Sequence, residues 1–228
     1  MSFFIDFLTS GGIQFMLPIF GLLVVASTLI VERYLTLTYN FDVRNRFFAR
    51  IRSMVKDGKV QEAYQACLTT SHPLSKVLAA VLYNSNNSPE AIDSAASIEI
   101  QKVLPGIQAR TTYINTIGNV ATLVGLLGTI VGLIQSFASL TGLSAAEKSA
   151  ALTAGISTAM NTTAFGLVVA IPCIICFSYL STKEESIIKK YDEIISEITH
   201  LVVHKPHQKA VVNESTEFRE FKEFKKHG

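Results

Sequence analysis

The residues of this chain best able to do chemistry are hydroxyls and amides set where only hydrocarbon is expected. ISTAMNTT, at 156–163, carries Ser157, Thr158, Asn161, Thr162 and Thr163 just before the apolar run from Gly166 to Leu180. A second set recurs at Thr112, Asn115, Asn119, Thr122, Thr129 and Ser136, with Leu126 and Leu133 interrupting it. Steps of three, four and seven put this set on one face of a helix. Hydroxyls can hydrate or hand on a proton without holding a charge, which suits the wall of a pathway better than a binding site.

Taken singly, each hydroxyl has a plainer reading. Ser and Thr can hydrogen-bond their own i−4 carbonyl at little cost in lipid, and interhelical bonds of this kind average only about 0.6 kcal/mol. Asn115, Asn119 and Asn161 satisfy themselves less easily. Three spans of one protomer are also too few to enclose both polar faces. The whole pattern therefore implies an oligomer around a lumen or a partner helix in the membrane.

The absent residue types narrow this further. No Asp, Glu, Lys, Arg or His lies at 7–31, 111–146 or 149–182. A chain that moved protons alone would carry an ionisable relay at membrane depth. Either it moves none, or the titrating group belongs to another polypeptide. Cys67, Cys173 and Cys176 give no disulfide framework, and the C-x-x-C of the last two sits in an apolar helix as two small packing residues. His200, His204 and His207 read as a solvated tail rather than a metal site. No nucleophile–base pair or phosphate loop is present, so no enzyme, metal or cofactor is expected.

Each charge-free stretch exceeds the roughly 20 residues that a helix needs to cross about 30 Å of hydrocarbon. We therefore expect an all-α integral membrane protein with three transmembrane helices at 13–35, 111–140 and 151–181. Of the 20 Lys and Arg residues, ten lie between Arg33 and Arg110 and nine between Lys183 and Lys226, leaving only Lys148 elsewhere. By the positive-inside rule the N-terminus and the 141–150 loop lie outside, and the 36–110 region and the tail lie in the cytoplasm. MSFFIDFLTSGG has an Asp and no basic residue, the wrong sign for a cleaved signal, so an N-out anchor is expected. Phe3, Phe4, Phe7 and Leu8 predict a short interfacial helix within 1–12.

Glu32 and Arg33 mark the inner interface of the first span, with Tyr34 anchored there. The 36–110 region is a helical cytoplasmic domain, with breaks at Asp57-Gly58, His72-Pro73 and Asn86-Asn87-Ser88-Pro89. Pro105-Gly106 is expected to bend the chain below the second span. The second and third helices are long enough to run on below the bilayer. The third continues over 182–204 as an amphipathic extension with Ile187, Ile188, Ile194, Ile195 and Ile198, followed by a loose polar tail at 205–228. Gly118, Gly125, Gly128 and Gly132, with Gly166 on the third span, are read as helix-packing positions.

LVGLLGTIVGLIQSF at 123–137 and GISTAMNTTAFGLVVAIP at 155–172 closely resemble the two signature segments of the MotA/TolQ/ExbB proton-channel family. The Glu32-Arg33-Tyr34 exit, the helical loop and the three-span layout match as well, and the resemblance covers residues 13–200. It implies an inner-membrane pentamer of a Gram-negative bacterium whose second and third helices line a pore. That pore would hold a dimer of ExbD-like or TolR-like single-span helices, whose membrane Asp takes up the proton. It further implies a proton-driven stator that energises a TonB-like protein and outer-membrane transport, or a TolA-like protein in a Tol–Pal system. No nucleic-acid partner is expected. Thr129 and Thr163 match the family's pore threonines, with Thr122, Thr158, Asn161 and Thr162 as neighbours on the pathway. Thr158 falls where many relatives carry a glutamate, and Val131 where many enterobacterial members carry Trp; both departures favour a divergent ExbB-like subgroup. The competing expectation is a non-conducting oligomeric scaffold, in which both stripes only pack helices.

Overall fold

The computed structural model describes residues 13–41, 45–142 and 144–224, and the side chains of 14–41, 46–142 and 144–204. The interfacial helix expected within 1–12 lies outside the described residues. Every regular element among the described residues is an α-helix. In chain order these are α1 (Ile13–Tyr39), α2 (Asn45–Lys56), α3 (Val60–Leu68), α4 (Pro73–Tyr83), α5 (Pro89–Gln108), α6 (Thr111–Ala138) and α7 (Ala145–Phe224). Three stretches are long and apolar enough to cross a membrane: Gln14–Tyr39, Pro89–Ala138 and Ala145–His204. Their outer surfaces carry Leu17, Val24, Leu123, Leu127, Val168 and Ile175 exposed, as hydrocarbon-facing helices require.

The chain divides into two compact units, Met1–Leu35 with Gln108–Lys183, and Thr36–Ile107 with Glu184–Gly228. In the second unit the core is Phe48, Ile51, Val55, Leu74, Val77, Leu78, Val81, Ile187, Tyr191 and Ile198. Helix α2, NRFFARIRSMVK, buries Phe48, Ile51 and Val55 at helical spacing while Arg46 and Arg50 stay exposed. The breaks between these short helices fall where turn chemistry put them. Gly58 takes φ 83°, a left-handed value that costs glycine little. His72 caps α4, accepting the Leu74 N–H at Nδ1 (3.3 Å), with Pro73 in the first turn. Ser88 accepts the Ala91 N–H, and Pro89 opens α5. Tyr191 is fully buried, and its hydroxyl donates to the Phe41 carbonyl at 3.1 Å.

The helix break and the tail differ from what local signals suggest. Helix α5 passes through Pro105 and Gly106 without ending. Pro105 and Gln101 are both exposed, so the carbonyl that loses its i+4 donor is not buried. The break falls instead at Arg110, whose φ of 63° is left-handed and costs a residue with a Cβ roughly 1–2 kcal/mol. Also, the backbone stays helical to Phe224 where a loose tail was expected from Lys205. Extending a helix that already exists needs no new nucleus, and Glu, Lys and Gln extend it readily.

Candidate functional site

Helices α6 and α7 pack antiparallel along a track of small residues. A Cβ built on Gly118 would meet Ala170 and Cys173, one on Gly125 would meet Thr162, Thr163 and Gly166, and one on Gly132 would meet Ala159. As α6 advances toward Ser136, its opposite number on α7 retreats to Gly155. The neighbouring backbone comes closest at Gly166, where a Cβ would lie 2.7 Å from the Ala121 carbonyl oxygen. Gly128 faces both the Thr162 methyl and the Phe15 ring of α1, so it joins all three helices. The glycines singled out from sequence are thus contact positions within one protomer, and close backbone approach is what fixes them.

Two hydroxyls lie on this track. Thr129 on α6 and Thr163 on α7 hydrogen-bond to one another through their Oγ1 atoms. Thr163 Oγ1 also reaches the Gly125 carbonyl of α6 at 3.0 Å. Thr129 Oγ1 lies 3.2 Å from that same carbonyl and 3.3 Å from the Ala159 carbonyl of α7. Each hydroxyl has one proton to donate. The pair therefore has two protons and more acceptors than it can serve at once: two backbone carbonyls and each other's oxygen. Such a set can exchange hydrogen-bond partners without any atom becoming charged. Both side chains are half-buried, so they are reachable from one side.

The remaining polar residues do not gather at one point. Thr122 donates to the Gly118 carbonyl (3.2 Å) and Ser136 to the Gly132 carbonyl (2.7 Å), each satisfied within α6. Thr112 and Asn119 are exposed and Asn115 is half-buried, so the single stripe divides between the α7 contact and the free surface. On α7, Thr158 and Asn161 are half-buried and Met160 is exposed. Thr162 is 1% exposed; it donates to the Thr158 carbonyl (3.1 Å) and fills the helix contact with its methyl.

At the other end of the same unit, three consecutive residues of α1 each hold a residue distant in sequence. Glu32 pairs with Arg110. Arg33, 2% exposed, donates from Nε to Thr111 Oγ1 at 3.1 Å. The Tyr34 ring lies under the Lys183 ammonium at 4.8 Å. Sequence reasoning marked Glu32, Arg33 and Tyr34 as an interface but missed Arg110, Thr111 and Lys183. Only their position directly beside the charge-free runs could have pointed to them. His200 and His204 stack in α7 with ring centroids 3.9 Å apart, both exposed. No group of three or more potential metal ligands occurs among the described residues.

Known proteins share these segments. Residues 44–193, well over half of the chain, match the model of the MotA/TolQ/ExbB proton channel family. The chain is 30% identical over 163 residues to the biopolymer transport protein ExbB-like 3 of Synechocystis sp., an overlap covering 71% of this chain and 77% of that protein. It is 31% identical over 103 residues to the biopolymer transport protein ExbB of Xanthomonas campestris pv. campestris (45% of this chain, 40% of the relative). With the Tol-Pal system protein TolQ of Haemophilus influenzae it shares 28% identity over 120 residues (51% and 52%). It thus spans about half or less of the last two relatives and most of the first. The matched region holds the Thr129–Thr163 pair, the glycine track and the Arg110 break, and the chain belongs to the MotA/TolQ/ExbB proton channel family.

Proposed function

We propose that this chain is an ExbB-like subunit of a proton-driven motor in a bacterial inner membrane. Five copies surround a dimer of ExbD-like single-span helices and use the proton motive force to energise TonB-dependent outer-membrane transport. The carrying observation is the Thr129–Thr163 pair, placed in spans without any Asp, Glu, Lys, Arg or His. The hydroxyls solvate and pass on a proton, while the partner's membrane Asp takes it up. Thr158 is neutral, so it adds no second titrating group. The half-buried Thr122 and Asn161 serve as hydrogen-bonding neighbours, and Thr162 packs the wall from behind.

The orientation in this reading is N-out and C-in, from the distribution of Lys and Arg. The second compact unit, α2–α5 with the far part of α7, is then cytoplasmic. One proton crossing the potential releases about 2.3 kcal/mol per 100 mV. An open lumen would dissipate it, so the partner helices fill the pore and conduct only as they titrate and move.

Thr129→Ala combined with Thr163→Ala should abolish energised work while the complex still assembles. Normal work in that double variant sinks the assignment. Native mass spectrometry of the purified complex should give five copies with two of the partner.

The TolQ relatives support a second reading, in which the same machine energises a Tol–Pal system. A deletion strain separates the two. Poor growth under iron limitation supports the ExbB-like role; detergent sensitivity with cell chaining supports the TolQ-like one.

A further inference from the structure

The geometry points to Arg110 as a positioning residue at the base of α6, a backbone joint latched by Glu32; the inference rests on the motor reading above. The buried residues Ile107, Thr111, Ile114, Gly118, Ala121, Gly125 and Gly128 follow one another in steps of three and four. This spacing suits one uninterrupted helix. Nothing local asks for a break, since Gln108, Ala109, Arg110 and Thr111 include no Gly, Pro or Asn. Yet Arg110 is left-handed, the one residue other than glycine with positive φ among the described residues. A strained residue that its sequence does not demand is held by tertiary contacts.

Consecutive residues of α1 grip consecutive residues at the break: Glu32 pairs with Arg110, and Arg33 Nε donates to Thr111 Oγ1. The second contact is buried and anchors the start of α6. The first is an ion pair with side chains 58% and 39% exposed, a kind that adds little to stability. Its effect is conformational. Together with the buried Arg33–Thr111 bond, it holds the Arg110 backbone in the broken form. Rotation of Arg110 into the right-handed region would remove the break before α6 and re-aim the helix that carries Thr129. Opening and closing the Glu32–Arg110 pair is therefore a switch on the position of α6.

The test uses the purified complex and a deletion strain. Glu32→Gln and Arg110→Gln should each cause loss of energised work with assembly unchanged. In hydrogen exchange, the amides of Arg110 and Thr112 should slow several-fold, because right-handed backbone at Arg110 supplies the i−4 carbonyls that the break withholds, whereas Thr111 and Tyr113 already donate to the Ala109 and Arg110 carbonyls. Arg110→Lys should keep both properties, and Glu32→Arg with Arg110→Glu should restore what either single reversal loses. Unchanged work and exchange in the Gln variants would overturn the latch, as would a double reversal no better than the singles. The exchange measurement needs no proton-driven activity. It can therefore fail while the Thr129/Thr163 variants uphold the motor reading, or succeed while they refute it.

Discussion

Thr129 and Thr163, on neighbouring antiparallel helices, hydrogen-bond to each other and converge on one acceptor, the Gly125 carbonyl, at 3.2 and 3.0 Å. That carbonyl is accessible because Gly125 and Gly166 have no side chains to hold the backbones apart. The packing track and the polar pair are therefore one arrangement, and its two components predict different phenotypes.

Removing the hydroxyls tests the polar component. Thr129→Ser with Thr163→Ser keeps both donors and should retain most of the energised work. The double alanine variant should fall to the background of the deletion strain, with the partner still co-purifying. Equal activity of the two variants would show that the hydroxyls only pack.

Enlarging a glycine tests the packing component. A Cβ at Gly166 would sit 2.7 Å from the Ala121 carbonyl, which is backbone and cannot swing away. Gly166→Ala should destabilise the helix pair by about 1–3 kcal/mol, seen as a lower melting temperature and a smaller assembled fraction. Gly21→Ala is the contrast, since nothing lies within 4 Å of its added methyl. It should melt at or slightly above the wild-type temperature.

Burial pushes the Cys67 thiol up to about 11 from 9.0, because a thiolate is disfavoured away from water. At pH 8 this thiol should resist maleimide in the native protein and label fully in denaturant. A raised pKa in the folded state means that the buried thiol's contribution is complete below pH 9. It is lost between about pH 9 and 11, by about 3 kcal/mol in all. A Cys67→Ala variant should show a shallower fall in stability over that window.

At the start of α7 the Glu147 carboxylate accepts twice from Ser144. The Ser144 N–H donates to Glu147 Oε2 at 2.9 Å and its hydroxyl at 2.6 Å, and these bonds hold the Glu147 carboxyl below its ordinary range. A lowered folded pKa means that this contact contributes at neutral pH and is lost as the carboxylate protonates in acid. Ser144→Ala should loosen the first turn of α7. Faster hydrogen exchange confined to the first turn of α7 would register it, and unchanged exchange there would argue that the contact is idle.

Much of the architecture was legible from order and type of residue alone. Charge-free runs of more than 20 residues mark helices able to cross a membrane, because an unpaired backbone cannot sit in hydrocarbon. Gly58, the His72-Pro73 start and the Ser88-Pro89 start behaved as turn chemistry requires, because those signals act within four residues. The small-residue spacing likewise identified which face of α6 meets a neighbour. The chain's family membership follows from the same segments.

Tertiary structure decided what depends on residues far apart in sequence. It paired Thr129 with Thr163, turned Thr162 into the contact, and divided a stripe that looked like one face. Helical periodicity names a face; only the neighbouring helix determines which part of that face is covered. The break at Arg110, close to the bend expected at Pro105-Gly106, came from the same source. A proline at an exposed position is tolerated, whereas an arginine in the left-handed region is held by Glu32, 78 residues earlier, and no local pattern records so distant a partner.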